Sequence, residues 1–264
     1  MRVWKKLVTL MLMCACASTN AGAHEINAYL AVSQEFEKIT AEKTAQGRMP
    51  RLEDKGVAAL ISTLSDNKRF LNPASYQQGD ILALMGMCTK TNEIAMSYAL
   101  FDMKSHVKKG DDQAVVVQQI RKLMGTNIMA YQHELEQLHP FVIRCMATAV
   151  PLLTEFTAKL KPEEFTEVRR SGLQQARDGI LTAYYGYLQA ISYQELKQSF
   201  REKSSQALAE AAIPFASMIQ PAVRKQIVDM ATATQKNASG EIASNLRKII
   251  DAMSATECTG LCKL

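Results

Sequence analysis

The chain has 264 residues, 47% of them hydrophobic and 22% charged, with a formal net charge of +5. Three of its 31 basic residues (Arg2, Lys5, Lys6) and none of its 26 acidic residues fall in the first 23 positions, so the rest of the chain carries only +2. Its longest basic runs there are isolated pairs such as Lys108-Lys109 and Arg169-Arg170, which read as solvated helix faces, and nucleic-acid binding is therefore excluded.

The N-terminus reads as a secretory signal. Arg2, Lys5 and Lys6 form a positive region, Leu7 to Ala17 is mostly apolar, and Ala21-Gly22-Ala23 supplies the small residues of a cleavage site before His24. The apolar run is well short of the roughly 20 residues a spanning helix needs. No transmembrane span is expected in residues 24–264, and the expected location is the periplasm or the medium. Cleavage before Cys16 would instead give an outer-membrane lipoprotein, but Met13-Cys14-Ala15 makes a poor lipid-attachment box. After the signal, one helical domain is expected over residues 24–264, ending in a short cysteine-containing tail.

Apolar positions then recur at helical spacing almost throughout. Ile26, Tyr29, Leu30, Val32, Phe36 and Ile39 mark a first helix closed by Gly47 and Pro50, and Val57, Leu60, Ile61 and Leu64 mark a second. A turn region around Asn72-Pro73 leads to a helix from Asp80 to Cys88. After the polar string Thr89-Lys90-Thr91, a separate helix is expected through Ile94, Tyr98 and Phe101 to Val107. Gly110-Asp111-Asp112 stops that helix and caps the next, which the pattern extends from Val116 to Pro140. Phe141 to Leu160 follows, with a kink at Pro151. Pro162 reads as a first helical residue with Glu163 and Glu164 at the positive end of the dipole. Ser192-Tyr193-Gln194-Glu195 reads as a capping box opening another helix, and Ile242, Leu246, Ile249, Ile250 and Met253 form the last apolar face. The expectation is an all-α, compact multi-helix bundle of eight or nine helices, stapled by disulfides.

Four cysteines lie beyond the signal: Cys88, Cys145, Cys258 and Cys262. An even number in an exported chain suggests disulfides, and three pairings are open. The preferred one joins Cys88 to Cys145 and Cys258 to Cys262. Three residues separate the last two, one more than the redox-active motif has, which favours a structural staple.

Few motifs carry chemistry. His133-Glu134-Leu135-Glu136-Gln137-Leu138-His139 lacks the second histidine one turn after the first that a zinc protease needs, position 137 being Gln. Glu136 and His139 keep the spacing of a di-iron ligand pair, but no second copy exists. A mononuclear metal site from Asp102, His106, Glu136 and His139 is geometrically open if their helices run antiparallel. Met85-Gly86-Met87-Cys88 with Met103 and His106 resembles a soft copper site, although methionines filling a helical core account for it more simply. Tyr184 and Tyr187 share a helix face and are candidates for contact with a ligand or partner. No nucleophile elbow, phosphate-binding glycine loop or nucleophilic pair is present, and no cofactor is expected. These features favour a non-enzymatic protein-binding factor such as a chaperone, adaptor, inhibitor or secretion accessory, its partner another envelope protein. A metal- or small-ligand-binding protein comes second and an envelope-polymer hydrolase third.

Overall fold

A computed structural model of the protein describes residues 21–106, 112–258 and 260–263. The described residues contain helices and turns and no strand, an all-α bundle. Of the expected signal, residues 1–20, including Cys16, lie outside the described residues, and Ala21–Ala23 form the first turn of a helix.

That first helix, α1 (Ala21–Ala45), buries Ile26, Tyr29, Ser33 and Phe36, a 3-4-3 spacing that puts them on one face. It ends as the sequence suggests, with Gly47 at φ 78°. The Arg48 N–H donates to Lys43 O (3.1 Å) and the Gly47 N–H to Thr44 O (3.0 Å), a left-handed cap in which a side chain would be strained. Short helices α2 (Val57–Leu64) and α3 (Asn67–Phe70) follow, and 3₁₀ turns at Pro73–Ser75 and Gln78–Asp80 lead into α4 (Ile81–Ala99).

α4 is one helix where the polar string at 89–91 suggested two. Thr91 returns its hydroxyl to Met87 O (3.0 Å) within the helix and bonds Tyr29 across the interface, while Lys90 reaches Glu37 on the outside. Polar residues that satisfy themselves in this way do not interrupt a helix. After the single turn α5 (Met103–His106), Asp112 accepts from the Ala114 N–H (2.8 Å) and opens α6 (Gln113–Ala130) as expected; residues 107–111, with the rest of that stop signal, lie outside the described residues.

The next boundary also moves. The chain breaks at Tyr131, and α7 (Gln132–Lys159) runs through both Pro140 and Pro151. Each proline removes one backbone donor, but α7 lies between α4 and α9 and buries Leu135, Leu138, Phe141, Val142, Cys145 and Ala149, so tertiary packing overrides the local preference. By length and composition α7 could cross a membrane, and in this fold half of that apolar window is buried within the bundle.

Pro162–Glu164 is a 3₁₀ turn, and Thr166, accepting from the Arg169 N–H (3.3 Å), caps α8 (Glu167–Ala190). Ser192 does not cap a following helix. Its hydroxyl points back to Gln189 O (2.7 Å), and α9 (Gln198–Met218) begins later. Pro221 opens α10 (Pro221–Gln235) at its first turn, and α11 (Gly240–Ala255) packs on α9 and α10. A final 3₁₀ turn, Gly260–Lys263, seats Leu261 and Cys262 against the bundle.

Both preferred cysteine pairs are present. Cys88–Cys145 joins α4 to the middle of α7, and Cys258–Cys262 closes the tail.

Candidate functional site

The expected metal ligands do not converge. Asp102 sits at φ 59° in the turn before α5, and exposed His106 turns its Nδ1 to Asp102 O at 3.1 Å. Glu136, on α7, faces α9, where Lys203 Nζ lies 2.7 Å away and Ser199 donates a hydrogen bond at 3.2 Å. His139 is one turn further along α7 but inside the core. Its ring lies 4.5 Å from that of Tyr187 and 5.3 Å from that of Phe200, and its Nδ1 has no hydrogen-bond partner. Burial pushes the imidazole down to about 3, so it is neutral at ordinary pH. Among the described residues no three His, Cys, Asp or Glu side chains gather where they could hold a metal ion. The soft-metal string fares no better, because Cys88 is joined to Cys145 and Met87 is buried in the core.

The contact role expected of Tyr184 and Tyr187 requires correction. Both are buried, 1% and 6% exposed, and their hydroxyls bond inward: Tyr184 to Leu208 O (3.1 Å) and Tyr187 to Asn92 Oδ1 (2.9 Å). Their shared face points into the bundle, and Tyr185 is the exposed member of the trio.

A buried polar knot that sequence reading missed fastens the loop after α1 to the start of α7. Glu134 is 1% exposed, and its Oε1 accepts from the Leu52 N–H at 2.9 Å. The Tyr131 hydroxyl accepts from the Met49 N–H (3.1 Å), and Tyr98 donates to Pro50 O (2.9 Å). Arg51 stacks 4.2 Å over the Tyr131 ring and bonds Ala130 O. Asp54 takes two bonds of 2.6 Å from Arg48, which hold its carboxyl well below the usual carboxylate range. The bonds of Glu134, Tyr131, Tyr98 and Arg51 tie side chain to backbone across distant parts of the chain, the Arg48–Asp54 pair braces the loop itself, and the knot serves the fold. A sequence signal existed for Glu134: it lies in the stripe Asn127, Tyr131, Glu134, Leu138, Phe141, whose 4-3-4-3 spacing places it on the core face.

The surface offers a more open feature. Between α6 and the end of α8 runs an apolar groove of about 240 Å³. Val117, Ile120, Arg121, Met124 and Ile128 form one wall, at helical spacing along α6, and Gly186, Gln189 and Ala190 form the other, with Tyr193 beyond. Val117 is 50% exposed at the outer end of this stripe, which runs inward past Met124 to Ile128, buried in the core. Gln189 also borders a second recess of about 320 Å³, lined by Ser192, Gln194, Met230, Thr234 and Asn237.

Among the described residues, Arg121 is the only charged one lining the groove. α6 contains Arg121 and Lys122 but no acidic residue, and α8 carries no charge from Gly179 to Ala190. The walls can therefore desolvate apolar surface and present positive charge. They hold no arrangement of nucleophile and base.

No protein-family model, curated protein or solved structure matches this chain.

Proposed function

We propose that this is an exported, non-enzymatic helical protein that works by binding another protein of the bacterial envelope, and that the α6–α8 groove is its contact surface. The observation that carries this reading is the groove itself, where a helix spends an apolar stripe on a solvent-open recess. Open apolar recesses of this kind favour association, because covering them removes apolar area from water. The two cystine pairs fit an oxidising compartment, and the leader-like residues 1–23 fit delivery to the periplasm or beyond.

The test is site-specific photocrosslinking in the cells that make the protein. A photoreactive residue replaces Val117 in the groove or, as a control, the exposed Lys225 on α10. A discrete adduct with one other polypeptide from position 117, absent from position 225, is the expected result. Identical patterns from both positions, or no adduct from the groove, would overturn the reading.

A further inference from the structure

We infer that the groove accepts an amphipathic α-helix of about three turns, contributed by the partner and flanked by acidic side chains that meet Arg121. This rests on the protein-binding reading and specifies the partner's chemistry.

Three observations lead there. The first is the nature of the walls. Both are α-helices whose backbone groups are already paired, and their lining is almost wholly apolar. An extended peptide laid between them would leave its own N–H and C=O groups facing apolar surface, with a desolvation cost for each one left unpaired. A helix brings its backbone bonds satisfied and presents only side chains.

The second is shape. Val117, Ile120, Met124 and Ile128 follow one another at intervals of three and four residues, a ridge of the kind that packs against another helix. From Val117 to Ile128 this ridge is about 16 Å long, the length of about three helical turns. On the opposite wall Gly186 and Ala190 lie one turn apart and leave room for a partner's side chains or backbone; a Cβ built at Gly186 meets nothing within 4 Å.

The third is charge. Arg121 lies in the lining, Lys122 is exposed beside it, and neither α6 nor the groove half of α8 supplies a carboxylate. Among the described residues no acidic group pairs with Arg121. An occupant carrying Glu or Asp at the edge of its apolar face would supply the missing partner, whereas a basic flank would face like charge.

The experiment uses the full chain with both disulfides formed and a fluorescent synthetic helix of about twelve residues, with leucines along one face and flanking positions that are all Glu, all Gln or all Lys. By fluorescence anisotropy the Glu peptide binds about tenfold or more tightly than the Lys peptide, the Gln peptide lies between, and the spread narrows as salt rises. Arg121→Glu reverses the order. Gly186→Trp, which fills open space and leaves the helical circular dichroism unchanged, abolishes binding of all three.

An order independent of flank charge, or binding that survives Gly186→Trp, would overturn the inference. So would displacement of the Glu peptide by phosphatidylglycerol vesicles that bind the wild type and not Gly186→Trp, which would make the occupant a lipid. A crosslinked partner at position 117 combined with charge-independent peptide binding would remove the acidic helix and leave the protein-binding reading intact.

Discussion

His139 and Glu134 lie on the same long helix, both buried, and they oppose the solvent in different ways. His139 is neutral in the folded protein because burial lowers it from 6.5 to about 3. The unfolded chain takes up that proton once the pH falls below 6.5, so between 6.5 and about 3 it holds more protons than the folded one. Stability associated with His139 is therefore fully present above pH 6.5 and is lost progressively as acid is added. Urea titrations at several values across this range should show His139→Phe losing less stability on acidification than the wild type. A parallel loss in both would show that other groups govern the acid limb. Glu134 supplies an acceptor to the Leu52 N–H. Glu134→Ala leaves that donor unpaired and is expected to cost about 1–3 kcal/mol in a denaturant titration, with Glu134→Gln, which retains an acceptor, costing less. At this scale the sequence was informative about spacing and much less so about direction. Glu136 and His139 were correctly read as one turn apart, yet one reaches Lys203 at the surface and the other is enclosed by aromatic rings. Tyr184 and Tyr187 were correctly placed on one face, but that face is an inner one. Which side of a helix is covered depends on neighbours that a local pattern does not specify.

The helices themselves were legible at several boundaries set by local chemistry. Gly47 ends α1 and Asp112 caps α6, each through a backbone geometry or hydrogen bond that one or two residues determine. Two of the misplaced boundaries lie where distant packing decides, whereas the starts expected at Pro162 and Ser192 shifted through local hydrogen bonds, Thr166 capping α8 and Ser192 bonding back to Gln189 O. α4 passes through its polar string because Thr91 and Lys90 find partners on α1, and α7 absorbs two prolines because it is held by α4 and α9. The staple between α4 and α7 and the one in the tail differ in the length of chain they enclose. Their separations are 57 and 4 residues. On chain-entropy grounds, removing Cys88–Cys145 by paired alanine substitution should cost about 4 kcal/mol, and removing Cys258–Cys262 about 2 kcal/mol. Denaturant unfolding of the two double variants measures both, and equal losses would mean that the contacts of the tail, not its ring size, set its contribution.

At the scale of the whole molecule, the all-α architecture followed directly from helical periodicity with no competing strand pattern, whereas the groove was hidden. Ile120, Met124 and Ile128 read in sequence as one apolar face of a long helix; in the fold Ile128 is buried in the core, while Val117, half exposed, opens that side of α6 to the groove. The one lone positive charge among them, Arg121, is the part of that surface a sequence could have flagged. The cystine pattern has a consequence for how the molecule is made. Counting from Cys88, the cysteines are joined in consecutive pairs, the first with the second and the third with the fourth. A polypeptide that emerges from its N-terminus and is oxidised as it appears meets its native partner first each time: Cys145 reaches Cys88 before either tail cysteine exists outside, and the last two then close upon each other. Were the chain exported from its N-terminus, as proposed, correct connectivity would be the default outcome of oxidation in the order of emergence.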